Sequence, residues 1–201
     1  MGPGITDQEY IARNLRGFEG DGILEAKIKS VIESYGVKTV IETGTFKGGT
    51  TAKFCQMAHL VITFENNLEY YKEASARLSK MDNLIMIRGE SQRYLDHVLK
   101  DNILDLGMCL FFLDAHWYDH CPLLDELNII AENKLRPVIV IHDFKVPGTD
   151  LGFDTYKGKP LEWDYIKDHV SRIYGDKGFK YEYNSEAEGA RRGVIIISPI
   201  L

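Results

Sequence analysis

The stretch VIETGTFKGGTTAKF, residues 40–54, decides how the chain folds. Val40 and Ile41 close an apolar run, Glu42 ends it, Gly44, Gly48 and Gly49 permit a tight turn, and Thr50 and Thr51 open a helical pattern. A buried strand that passes through a glycine turn into a helix collects backbone N–H groups and a helix N-terminus at its carboxyl end, where open α/β sheets bind ligands. A phosphate-cradling loop needs lysine after its last glycine, and here Thr50 follows Gly49. Glu42 would set a carboxylate beside a pyrophosphate at Coulombic cost, so the turn suits a ligand that carries positive charge. The same residues would also serve an ordinary turn behind a solvated glutamate.

Outward from this turn, strand and helix patterns alternate. Residues 22–35 place Ile23, Ile28, Val31 and Ile32 on one helical face, with Gly36 as the stop. Apolar runs at 37–42, 60–65, 83–89, 108–114 and 137–143 read as strands, separated by helical patterns at 50–58, 68–79, 91–100 and 123–133, with a further helix at 161–174. Runs this continuously apolar predict a parallel sheet covered on both faces. The last strands, 179–184 and 193–199, are joined by SEAEGARR, too short for a crossover helix, and should pair antiparallel. The expected fold is α/β: a Rossmann-like, seven-stranded, mostly parallel sheet with a C-terminal antiparallel hairpin and helices on both faces. Residues 1–21 would form an N-terminal flap or short helix, and residues 22–201 a single domain.

The 201 residues, 44% hydrophobic, suffice for one sizeable core. A net charge of −6 without a Lys/Arg run gives no footprint for nucleic acid or an anionic membrane. The chain shows neither a bilayer-length apolar segment nor the basic and apolar regions of a signal peptide. Cys55, Cys109 and Cys121 have no metal-type spacing, and an odd count argues against a disulfide framework. A soluble, cytoplasmic protein acting on a small-molecule or glycan substrate is expected.

The strand ends carry the chemistry. Glu65 ends the second strand, where an acid can accept hydrogen bonds from both hydroxyls of a ribose, and Asn66 lies beside it. Gly89, Glu90 and Ser91 follow the third strand and could read an adenine amino group, although Ser91 equally suits a helix N-cap. Asp114 and His116 end the fourth strand, and His142 and Asp143 the fifth. On neighbouring strands these four would crowd one cleft, fit for a divalent metal or for a histidine general base; the bland alternative is a hydrogen-bond cluster that shapes the loops. Asp119 and His120 would start the next helix, with Asp125 and Glu126 on its solvated face. Phe64, Trp117 and Phe144 could wall a flat group. The long loop 144–160 reads as a lid, offering Lys145, Asp150 and Asp154 to an acceptor.

The segment E-T-G-T-x-x-G-G-T, the acid ending the second strand, the Gly-Glu-Ser step and LDAH together resemble class I S-adenosylmethionine-dependent methyltransferases, over residues 36–199. FLDAHWYDHCPLLDEL with VIVIHDF is similar to the macrocin O-methyltransferase-like group and, more loosely, to the metal-dependent catechol and caffeoyl-CoA types. The resemblance implies that Glu42, Gly44, Thr45 and Gly48 hold the methionine moiety of S-adenosylmethionine and Glu65 its ribose. It implies Asp114 beside the cofactor and, with His142 and Asp143, around Mg²⁺ or another divalent metal, with His116 or His142 as base. One departure stands out: those metal-dependent types often carry Asp-Asp or Asp-Asn where this chain has His142-Asp143 or Asp143-Phe144, so either His142 replaces an oxygen ligand or the metal is absent. O-methylation is the leading expectation. A metal-dependent hydrolase or oxygenase using the Asp/His cleft, and a non-catalytic cofactor-binding subunit, are the alternatives.

Overall fold

The protein is described by a computed structural model covering residues 15–101, 104–116 and 120–200. Helix α1 (Gly22–Tyr35) leads into β1 (Thr39–Thr43), and the chain then alternates through α2 (Gly49–Met57), β2 (Leu60–Glu65), α3 (Leu68–Arg77), β3 (Leu84–Arg88), α4 (Ser91–Leu99), β4 (Cys109–Leu113), α5 (Leu123–Glu132) and β5 (Val138–Ile141). A two-residue-per-strand hairpin, β6 (Thr155–Tyr156) and β7 (Lys159–Pro160), precedes α6 (Trp163–Tyr174), β8 (Phe179–Tyr183) and β9 (Ile195–Pro199). The seven-stranded sheet has the order β3-β2-β1-β4-β5-β9-β8, with β1 to β5 parallel and β9 antiparallel to both β5 and β8.

Local chemistry sets the helix ends. The Asp21 carboxylate accepts from the N–H groups of Ile23 and Leu24, both at 3.0 Å, and caps α1, while Gly36 closes it at φ 59° in the left-handed region. Asn67 caps α3 in the same way, accepting from Glu69 and Tyr70.

Because successive strand residues point to opposite faces, each fully buried strand feeds two cores. Ile41, Phe111, Ile139 and Ile197 face Leu95, Leu127 and Val170 of α4, α5 and α6. Val40, Leu110, Val140 and Ile196 face Ile28 and Phe54 of α1 and α2. On this second face Phe54 meets Phe18 and Phe112 edge-on, at 5.3 and 5.4 Å between ring centres. Phe18 thereby fastens residues 17–21 to the sheet, helped by its N–H donating to Thr50 Oγ1 at 2.9 Å. The flap or short helix expected over 1–21 is, in its described part, a turn and a short 3-10 helix, Phe18–Gly20, anchored through Phe18; residues 1–14 lie outside the described residues.

The segment 144–160, expected as a lid over an acceptor, packs down on the domain. Leu151 and Tyr156 are buried, the Asp154 N–H donates to the Asp143 carbonyl at 2.9 Å, and Lys145 pairs with Glu162 at 2.7 Å. Asp150 is held by Arg191 at 2.8 Å. Buried apolar anchors and ion pairs fold this segment down, so Lys145 and Asp150 are spent on structure.

Removing the ring at the meeting point of the three phenylalanines, Phe54→Ala, should cost about 3–5 kcal/mol in urea denaturation. A loss below about 1 kcal/mol would contradict the packing described.

Candidate active site

The sheet reverses direction of growth between β1 and β4, the position at which a crevice opens beyond the strand ends. Thr43 pairs with Leu113 in register, and the Asp114 N–H donates to the Thr43 carbonyl at 3.1 Å. Gly44, at φ 90°, follows; a Cβ there would lie 2.5 Å from the Asp114 carbonyl oxygen, so only glycine lets the two strand ends approach this closely. A cavity of about 380 Å³ opens above. Of the residues singled out in the sequence, Gly44, Thr45, Glu65, Asn66, Glu90, Ser91, Asp114, His116 and Asp143 line it, whereas Glu42, Gly48 and His142 do not.

Glu65 is fixed at the wall. Its Oε2 accepts from the Phe46 N–H and its Oε1 from the Asn67 N–H, each at 2.7 Å. Burial raises its pKa against these backbone bonds. Each carboxylate oxygen has acceptor capacity beyond one N–H bond, so hydroxyls of a ligand can be added without moving the side chain. Phe46 and Tyr70 stand edge-to-face, 4.5 Å apart, on the cavity lining. Neither aromatic is evident from sequence, since Phe46 occupies an unspecified position of the glycine turn. Phe64 also lines the cavity, but Phe144 is fully buried and stacks on Tyr183, and Trp117 and Asp119 lie outside the described residues.

Glu42 behaves differently from expectation. It is 1% exposed, and its Oε2 accepts from Thr51 Oγ1 at 2.5 Å and Thr63 Oγ1 at 2.7 Å. Burial pushes its pKa up to about 8 against these bonds, so at neutral pH it carries a proton and braces the turn from beneath instead of offering charge to a ligand. Gly48, at φ 76°, shapes the start of α2 against Leu78.

Ser91 is not the cap of α4: Glu90 holds that position without a side-chain cap bond, and Ser91 Oγ donates to Glu126. Glu126 in turn is buried, not solvated, and burial raises its pKa to about 7; Asp125 does face solvent. His120 lines the cavity, and α5 begins only after Pro122.

The Asp/His cleft forms as expected. His142 Nδ1 lies 3.4 Å from both Asp114 Oδ1 and Asp143 Oδ1, and His116 Nε2 lies 3.7 Å from Asp143 Oδ2 and 3.9 Å from Asp114 Oδ1. Burial by itself would lower the His142 pKa, but the two carboxylates outweigh it and hold the imidazole well above its ordinary value. Burial would raise Asp143, and His142 with Arg192 reverses that. Arg192 is absent from the sequence expectations; its Nε contacts Asp143 and its Nη2 contacts Asp154. Glu19, carried into the lining by the Phe18 anchor, is a second addition, its pKa raised by burial.

Two groups bring ligand atoms within 4.8 Å of one another: Asp114, His142 and Asp143, and His116, Asp143 and Asp154. A divalent ion needs a neutral imidazole and free carboxylate lone pairs. Here Arg192 already engages Asp143, which is common to both groups, and Asp154 of the second, so the donors do not fit a metal in this arrangement. Of the two histidines only His116 lines the cavity, and it is the candidate base.

Between 4.5, the ordinary glutamate value, and about 8, folded Glu42 keeps a proton that the unfolded chain has released. Stability therefore falls as pH rises through that window. Glu42→Gln should flatten this decline in urea denaturation, leaving the parts contributed by Glu126, Glu65, Glu19 and His142, and an unchanged slope would contradict a protonated Glu42.

No protein-family model matches the sequence, and no curated protein does. Solved structures do resemble it. An O-methyltransferase from Bacillus cereus, in complex with SAH, has a TM-score of 0.69 at 13% identity, over 96% of this chain and 88% of that one. The O-methyltransferase TomG from Streptomyces achromogenes, in complex with SAM, has a TM-score of 0.66 at 10% identity, over 100% and 93%. An rRNA methylase from Streptococcus thermophilus has a TM-score of 0.55 at 14% identity, over 87% and 95%. At such identities the likeness speaks to architecture: the chain has the Rossmann-like methyltransferase fold.

Proposed function

We propose that the protein is an S-adenosylmethionine-dependent methyltransferase that methylates a hydroxyl group of a small-molecule or glycan acceptor. The observation that carries this reading is the Glu65 carboxylate, locked by two backbone N–H groups on the wall of a cavity that also takes in the glycine turn and the Asp/His cleft. The B. cereus and S. achromogenes neighbours, crystallised with SAH and SAM, support it through their shared fold.

The cofactor, when bound, supplies an electrophilic methyl group on a positively charged sulfur. Glu65 accepts from the ribose hydroxyls, and Phe46 and Tyr70 offer apolar area beside it. Asp114, on the lining, supplies the negative charge that favours a sulfonium, the role Glu42 does not fill. Bound there, the cofactor would supply this methyl group to the acceptor oxygen and leave as S-adenosylhomocysteine. His116, on the cavity lining, would take the hydroxyl proton. Asp143 and Asp114, 3.7 and 3.9 Å away, then steady the imidazolium. Holding both reactants in one closed cleft supplies much of the acceleration. A metal-dependent hydrolase or oxygenase is not favoured, because the donors it needs are already committed.

No helix among the described residues is long and apolar enough to cross a membrane. Cys55, Cys109 and Cys121 are all free, which suits the proposed cytoplasmic setting.

Calorimetry should show S-adenosylhomocysteine binding to the wild type, weakened at least tenfold, about 1.4 kcal/mol, by Glu65→Ala. Folded wild-type protein that binds none would refute the reading. With an accepted hydroxyl substrate, His116→Ala should leave cofactor affinity intact and slow transfer by roughly 10²–10⁴-fold; unchanged turnover would remove His116 as base.

A further inference from the structure

Asp143 belongs to both groups of potential metal ligands, and Asp154 completes the second. Between these two carboxylates lies a cation that belongs to the chain itself: Arg192 Nε on Asp143 Oδ1 and Nη2 on Asp154 Oδ1. A guanidinium is permanently charged and carries its donors in a rigid fork, so one side chain can bind two carboxylates at fixed geometry, as an ion would.

The backbone builds a seat for this fork. Gly152 N–H donates to the Arg191 carbonyl at 2.9 Å, Gly193 N–H to the Gly152 carbonyl at 2.8 Å, and Phe144 N–H to the Gly193 carbonyl at 2.8 Å. These bonds clamp the Arg192 segment between the end of β5 and the segment 144–160. Both glycines pack closely on this seat, and at Gly193 the neighbour is backbone, which leaves no room for a side chain. A Cβ at Gly152 would come within 2.9 Å of Arg192 Nη1, and one at Gly193 within 2.1 Å of the Phe144 carbonyl oxygen. Asp143 itself sits in the left-handed region at φ 57°, which aspartate adopts more readily than most residues, and its carboxylate lies in the cleft between His116, His142 and Arg192.

We infer that Arg192 is a built-in substitute for a divalent cation: it fills the charge position between Asp143 and Asp154, and the cleft works without a metal. Arg192 does not line the cavity, so it is a positioning residue that acts through Asp143, which does. Its catalytic meaning rests on the methyltransferase reading, but the inference itself is about cation occupancy and is tested without turnover.

The probe is Mn²⁺ alone, titrated into full-length protein and followed by electron paramagnetic resonance of the free ion. Wild type and Arg192→Lys, which keeps the charge, should show no stoichiometric binding up to about 1 mM. Arg192→Gln, which frees Asp143 and Asp154, should bind Mn²⁺ at least tenfold more tightly than wild type while keeping its affinity for S-adenosylhomocysteine. Uptake of one equivalent by the wild type below about 1 mM would overturn the inference, as would a folded Arg192→Gln that binds no better than wild type. The wild-type titration needs no variant, so a failure of Arg192→Gln to fold leaves that arm decisive. Loss of S-adenosylhomocysteine binding in the wild type would instead sink the methyltransferase reading and leave the Mn²⁺ result standing.

Discussion

The close approach of the Gly44 Cα to the Asp114 carbonyl is the constraint on which the site depends. A parallel pair of strands cannot by itself bring two turns together, because each chain must leave the sheet without colliding with the other. Gly44, at φ 90° and lacking a Cβ, removes that collision at the point where β1 and β4 end in register. The glycine turn and the Asp/His cleft thereby become two walls of one cavity, and Glu65 on β2 becomes the third.

The cavity is surrounded by carboxyl groups, and the fold sorts them by environment. Glu42 and Glu126 lie in the protein interior, with burial driving their pKa values to about 8 and about 7. Both accept from hydroxyl groups, Glu42 from Thr51 and Thr63 and Glu126 from Ser91, and so brace the turn and the start of α4. Asp143 keeps its charge because His142 and Arg192 oppose the effect of burial. Glu65 is bracketed by backbone N–H groups. What faces a ligand is a small set of fixed carboxylates with distinct counter-charges, a better basis for recognising a cationic nucleoside than an undifferentiated acidic pocket.

Apolar runs made β1, β2, β4, β5 and β9 legible, because strands buried on both faces leave long Val, Ile, Leu and Phe runs that loops cannot mimic, and the partly exposed edge strands β3 and β8 were read beside them. Strand-end reading also placed Glu65, Asp114, His116 and Asp143 correctly around one cavity. Glu42 was misjudged in its role because its position at a strand end says nothing of whether the side chain turns toward the cavity or toward Thr51 and Thr63. Glu126 was misjudged because its hydroxyl partners come from α4 and β1, far away in sequence. Arg192 was invisible for a similar reason: a basic pair between two strands reads as solvated, and only the folded segment 144–160 brings Asp154 beside it. The short β6–β7 hairpin, two residues per strand, leaves no periodic signal at all.

A crystal structure with S-adenosylhomocysteine tests the central claim most directly. The account predicts ribose hydroxyls on the Glu65 carboxylate, the adenine beside Glu90 and Ser91, and the sulfur over the Gly44 and Asp114 junction. A ligand bound elsewhere on the molecule, or one in this cavity with its ribose away from Glu65, would contradict it.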